Sequence, residues 1–152
     1  MIEKSSDVSL VFLENVKNEG QVFPILIGNF GAQAIIQIIQ GVKCHRPLTH
    51  DLIKDIIHKL KGKIVDVVID TIEEEDILAT IHLISRGREI GIESRACDAI
   101  ALALKSKAPI YTTKSLLSKV SDAMDKIEIT NIDQEFSEWL DSIDSYNFKK
   151  GK

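Results

Sequence analysis

Cysteine is scarce in this 152-residue chain: Cys44 and Cys97 are its only two, far apart in sequence. Two thiols cannot build a disulfide framework, and without paired spacing or further ligands Cys44 and His45 do not make a zinc site. Basic charge is not in excess either, since the formal net charge is -4. A coat that binds nucleic acid regardless of sequence works by neutralising phosphates and is usually basic. The charge balance disfavours that class but leaves room for an enzyme with a local basic patch. Long apolar runs are missing: none approaches the roughly 18 residues that cross a bilayer as a helix. Met1 to Asp7 contains no apolar stretch behind a basic start, so no secretory signal is expected. P-loop, dinucleotide and nucleophile-elbow patterns are all absent. These absences lead to the expectation of a cytoplasmic, reduced protein that does not span a membrane.

What remains is a chain with 44% hydrophobic and 28% charged residues, a balance that folds rather than staying disordered. Its length suits one domain with a real core and a short appendage. Val8 to Leu13 and Val22 to Ile27, joined through Asn18-Glu19-Gly20, read as a β-hairpin, with Pro24 marking an edge or bulge. Gly28-Asn29-Phe30-Gly31 breaks the strand. Ala32 to Gln40 then reads as a helix buried on most sides, with Gln33, Gln37 and Gln40 as its wet stripe and Gly41 as its stop. Leu52, Ile53, Ile56, Ile57 and Leu60 give a second, amphipathic helix, capped by Thr49 and stopped by Gly62. Val65, Val67 and Ile69, then Ala79, Ile81 and Leu83, then Ile90 and Ile92 predict an antiparallel meander with one buried face. His82 falls on the opposite, solvent face. Ala96 to Lys105 reads as a third helix, Ala108 to Tyr111 as a short strand, and Ser115 to Met124 as helical. Phe136, Trp139, Leu140 and Ile143 mark one face of a last helix. The fold class expected is therefore α+β: a mostly antiparallel sheet with two or three buried helices packed on it, plus a C-terminal amphipathic helix. Residues 1–117 form the main domain and 118–152 a helical extension.

The informative polar residues open two helices. At Thr49-His50-Asp51 a helix start gathers unpaired N–H groups and positive dipole, and can hold an anion such as phosphate. His50 could carry a proton near neutral pH, and Asp51 could orient it or bind a divalent metal. The competing reading is plain capping. At the second start, Glu93 and Asp98 flank Arg95; two carboxylates could serve a hard metal, and a guanidinium could clamp phosphate. The competing reading is a salt bridge with Asp98 at the third helical position. Lys59, Lys61, Lys63, Arg86 and Arg88 are either a basic patch or ordinary surface charge.

Several stretches in order resemble the bifunctional nuclease domain family: Phe23-Pro24-Ile25-Leu26-Ile27-Gly28-Asn29-Phe30, Ala32-Gln33-Ala34-Ile35, Arg46-Pro47-Leu48-Thr49-His50-Asp51-Leu52, and Asp98 to Leu104 leading to Ala108-Pro109-Ile110-Tyr111. The resemblance covers Val8 to Leu117. It implies a metal-dependent nuclease acting on RNA or DNA, an activity credited to plant members. The site residues it implies are His50, Asp51 and Asp98 in catalysis, Arg46, Thr49 and Arg95 on phosphate, and Asp51, Glu93 and Asp98 on Mg²⁺ or Mn²⁺. A homo-oligomer, with a dimer favoured, is also expected. Three departures stand out: the family usually has glutamate where this chain has Gly31, proline and serine where it has Ala96 and Cys97, and aspartate where it has Glu93. They keep two other readings open, a non-catalytic binding or scaffold domain and a small-anion or nucleotide sensor.

Overall fold

The computed structural model describes residues 8–17, 22–73 and 76–125. The hairpin forms: β1 (Val8–Glu14) pairs antiparallel with β2 (Val22–Gly28) as a separate two-stranded sheet. Both strands are edges, so Pro24, opposite Phe12, interrupts no further ladder. Phe23, Ile25 and Ile27 alternate into the core.

Helix α1 (Asn29–Ile39) starts earlier than Ala32, because the Gly28-to-Gly31 stretch is helical from Asn29 onward. Its end follows expectation. Gly41 takes a left-handed φ of 64°, and the Gly41 and Val42 N–H groups donate to the Ile38 and Gln37 carbonyls, a Schellman closure. The expected burial of α1 on most sides is not found: Ala32 and Ile35 are buried, whereas Ile36 and Ile39 are exposed.

Helix α2 (Thr49–Lys59) is capped not by Thr49 but at Leu48. Asp51, three residues on, accepts the Leu48 N–H at 3.1 Å. Ile53 and Ile57 pack against the core, while Leu52, Ile56 and Leu60 stay exposed. The apolar stripe of α2 is thus wider than the surface that covers it. The left-handed residue ending α2 is Lys61 (φ 60°), not Gly62. Gly62 opens the next strand where a Cβ would meet Ile57 at 3.0 Å.

The main sheet has the order β5-β4-β3-β6, built from β3 (Gly62–Glu73), β4 (Asp76–Ser85), β5 (Arg88–Arg95) and β6 (Ile110–Thr112). The meander is antiparallel, and β6 joins β3 in parallel. Arg86 and Gly87, both at positive φ, make the tight β4–β5 turn. Two details correct the expected pattern. A register shift between Ile64 and Asp66 turns Ile64 inward and leaves Val65 exposed. Edge strand β5 buries no residue, although Ile90 and Ile92 stand opposite the buried Leu83 and Ile81.

Helix α3 (Ala96–Ser106) is the centre of the fold, with Ala96, Cys97 and Ala99 to Ala103 buried. α1, α2, β3 and β4 all pack on it. Its small residues are why: each alanine facing a neighbour lets another backbone come close. Leu116 of α4 (Lys114–Asp125) closes the core. The architecture is α+β with a mostly antiparallel sheet. The expected face Phe136, Trp139, Leu140 and Ile143 lies outside the described residues. Among those described, no helix is long and apolar enough to cross a membrane.

Candidate functional site

The N-cap residues of α1, α2 and α3 are Gly28, Leu48 and Arg95, and all of them line one groove of about 460 Å³. None of these residues caps its helix with a side-chain hydrogen bond. Glycine and leucine have no acceptor to offer, and an arginine side chain only donates. The first-turn N–H groups of the helices therefore depend on other partners, and their dipoles add positive potential at one place. The walls carry Phe30, Gln33 and Gln37 from α1, Thr49 and His50 from α2, and Cys97, Asp98 and Lys105 from α3.

Asp98 is the hub. Its Oδ1 lies 3.2 Å from His50 Nε2, and its Oδ2 accepts from Arg95 Nε at 2.9 Å and Nη2 at 2.8 Å. The link joins residues that are 48 apart in sequence and open different helices. His50 is 12% exposed and Asp98 32%. In neutral His50, donation from Nε2–H to Asp98 leaves Nδ1 as the accepting nitrogen. The Asp98 carboxylate in turn raises Arg95 above the ordinary guanidinium value, through the hydrogen bond first and the opposite charge second.

Asp51 does something else. It takes a hydrogen bond and ion pair from Lys105 Nζ as well as the Leu48 N–H, and Lys105 holds its carboxyl below the usual carboxylate value. Lys54 Nζ donates to the Lys105 carbonyl at 2.7 Å. These contacts fasten α2 to the far part of α3 and so set the position of His50.

Of the residues expected at the site, His50, Asp98, Arg95 and Thr49 share the groove. Asp51, Glu93 and Arg46 are not among its lining residues. Glu93 is exposed on β5 opposite Thr80, and Arg46 is exposed in the loop before α2. Among the described residues no three His, Cys, Asp or Glu side chains come together as a metal-ligand group. Asp51, Glu93 and Asp98 therefore do not form one ligand set; Asp51 is committed to Lys105 and Asp98 to Arg95 and His50.

Gly31 gains a physical reason. A Cβ there would sit 2.8 Å from Cys97 Cβ and 3.0 Å from its Sγ, so α1 and α3 touch at this point and no side chain fits. Burial, then the neighbouring Asp98 charge, pushes the Cys97 thiol up, which keeps it protonated and a poor nucleophile.

Sequence reasoning missed Phe30, Gln33, Gln37 and Lys105 as groove residues. The glutamines did leave a signal, a polar i, i+4 pair on an otherwise apolar helix, which read simply as its wet side. Lys105 left none. The basic residues Lys59, Lys61, Lys63, Arg86 and Arg88 gather where β3 begins beside the β4–β5 turn, and none of them lines the groove.

Comparison with known proteins places the sequence in a family. The family model described as Bifunctional nuclease domain matches residues 11–125. Uncharacterized proteins of Mycobacterium tuberculosis, from the CDC 1551 and H37Rv strains, are each 33% identical over 147 residues, covering 91% of this chain and 88% of their own. Bifunctional nuclease 2 of Arabidopsis thaliana is 24% identical over 142 residues, covering 83% of this chain but 43% of that longer protein. With the model spanning most of the chain, from the hairpin through α4, the chain belongs to the bifunctional nuclease domain family.

Proposed function

We propose that the groove binds a phosphodiester of RNA or DNA and cleaves it, with His50 as the group that moves the proton. The observation that carries this reading is the Arg95–Asp98–His50 link, which crosses from one helix start to another inside a single groove. A phosphate seated among the first-turn amides would lie beside His50, with Arg95 and Lys105 supplying positive charge. His50 Nδ1 would take the proton of the attacking oxygen, that of water or on RNA the 2′-hydroxyl, and the imidazolium would return it to the leaving sugar oxygen as the P–O bond breaks. Asp98 would hold the ring and stabilise the imidazolium that results, as a carboxylate does for a catalytic histidine. Family membership and the Arabidopsis relative's name favour a nuclease over other phosphodiester chemistry. The resemblance implies Mg²⁺ or Mn²⁺, and among the described residues no three His, Cys, Asp or Glu side chains come together to hold such an ion.

The test is cleavage of labelled RNA and DNA by wild type and His50→Ala, each with Mg²⁺, with Mn²⁺ and with a chelator. Loss of a general acid–base group is expected to slow cleavage by about 100-fold or more. Equal rates would remove His50 from the reaction, and equal rates with and without chelator would remove the metal.

Binding without turnover is the second reading. It is favoured by the fact that Arg95 and Lys105 are both already paired with carboxylates, Asp98 and Asp51. It predicts oligonucleotide binding by wild type with no cleavage under any of the three conditions.

A further inference from the structure

We infer that Phe30 is a stacking platform for an unpaired nucleobase, with Gln33 and Gln37 at the base's edge, so that the groove takes single-stranded nucleic acid. The inference rests on the nucleic-acid reading of the same groove. Phe30 is 91% exposed although it lies inside α1, one residue after the helix begins. No other aromatic side chain among the described residues is as exposed: Tyr111 is next, at 55%. A phenyl ring left in water forgoes the burial that makes it valuable, and an exposed one beside a polar groove is a free apolar face.

Its neighbours fit the same ligand. Phe30, Gln33 and Gln37 are spaced i, i+3, i+7, one face of a helix, and all line the groove. A primary amide both donates and accepts, so it can meet the edge of a base while the ring meets its face. The same groove is lined by phosphate-compatible groups, Arg95 and the first turns of α2 and α3. The α1 lining thus suits a base and the α2 and α3 lining a phosphate, and the volume is that of a small-ligand cleft.

The geometry also selects the strand state. In a duplex every base is already stacked and paired, so none can lay its face on Phe30. A single strand offers that face at no unpairing cost, and stacking on an aromatic side chain accepts any base.

The experiment measures binding of a short labelled single-stranded oligonucleotide, its duplex, and an abasic sugar–phosphate strand of equal length. Wild type, Phe30→Ala and Phe30→Trp are compared, each checked by size-exclusion chromatography. Phe30→Ala is expected to weaken single-strand binding by about tenfold, to leave abasic binding unchanged and to erase any preference over duplex, with Phe30→Trp restoring it. Equal binding of the single strand by wild type and Phe30→Ala overturns this inference while leaving the nuclease reading in place. So does equal loss on the abasic strand, or a change of oligomeric state in Phe30→Ala, which would make Phe30 a contact between copies of the chain. Failure of wild type to bind any of the three ligands overturns both.

Discussion

The molecule contains two histidine–aspartate pairs that look alike on paper and sit in opposite surroundings. His50 and Asp98 meet at 3.2 Å between two helix starts, with Arg95 on the same carboxylate. His82 and Asp66 meet at 2.6 Å across neighbouring strands of the open sheet face, where His82 is 46% exposed. The second pair is shorter, yet it lies in a depression lined by Val65, Glu89 and Gly91 among others, with no helix start and no cationic side chain. A histidine–carboxylate contact is therefore not a site in itself. What distinguishes His50 is the company of oriented amide groups, a guanidinium and a groove that a ligand can enter.

The same contrast between the two faces extends to packing, and there the effect on stability is largest. Gly31→Ala places a Cβ 2.8 Å from Cys97 Cβ, a rigid atom on the central helix. Overpacking of this kind costs about 1–3 kcal/mol, against which the better helix propensity of alanine returns only part. On the sheet face, Gly91→Ala meets Thr80 Cγ2 at 3.3 Å and His82 Cδ2 at 3.7 Å, both at side-chain ends. Thermal melts should show a clear fall in Tm for Gly31→Ala and a smaller change for Gly91→Ala; the reverse order would show that α1 and α3 do not touch at Gly31.

Thiol chemistry sharpens the comparison next. Cys44 is exposed, whereas Cys97 is buried at the groove floor with its thiol pushed up. Iodoacetamide at neutral pH should label Cys44 first and Cys97 only slowly, as peptide mapping over time would read. Faster labelling of Cys97 would mean that the groove activates its thiol.

The smallest expected effect concerns Asp51. Its carboxyl is held below the ordinary carboxylate value by Lys105, so the folded state favours the ionised form. That contribution is present above the unfolded carboxylate pKa and fades as pH falls through the lowered folded one. Urea midpoints measured from neutral pH down to about pH 3 should fall less steeply on the acid side for Asp51→Asn than for wild type. Both side chains are partly exposed, which keeps the difference small. Parallel curves would show that Asp51 does not fasten α2 to α3.

Much of the fold was legible because local pattern and tertiary burial agree there. The hairpin alternates through Phe23, Ile25 and Ile27, and α3 is apolar on every side that a central helix must bury. The misreadings fall where contacts distant in sequence decide. Gly28-Asn29-Phe30-Gly31 has the composition of a turn, but it is helical where Gly31 lies against Cys97. Thr49 has the chemistry of a cap, yet Asp51 satisfies the Leu48 N–H and the helix begins at Thr49 itself. The register shift at Val65 breaks a period-two pattern that looked clean. As for the site, the two polar helix starts were visible in sequence. Their meeting was not, because His50 and Asp98 are brought together by the way α2 lies along α3, fastened through Asp51, Lys54 and Lys105. Glu93 reads with Asp98 as a metal ligand in the sequence, and the resemblance puts Arg46 with Arg95 on phosphate; the groove lining includes neither Glu93 nor Arg46.

The most direct measurement is therefore a paired one: nucleic-acid cleavage by His50→Ala and His82→Ala, side by side with wild type and with folding checked by circular dichroism. The account predicts that His50→Ala slows cleavage by about 100-fold or more, while the surface change His82→Ala stays within about twofold of wild type. Equal losses in the two variants, or a loss confined to His82→Ala, would contradict the placement of the chemistry in the groove where the helix starts meet.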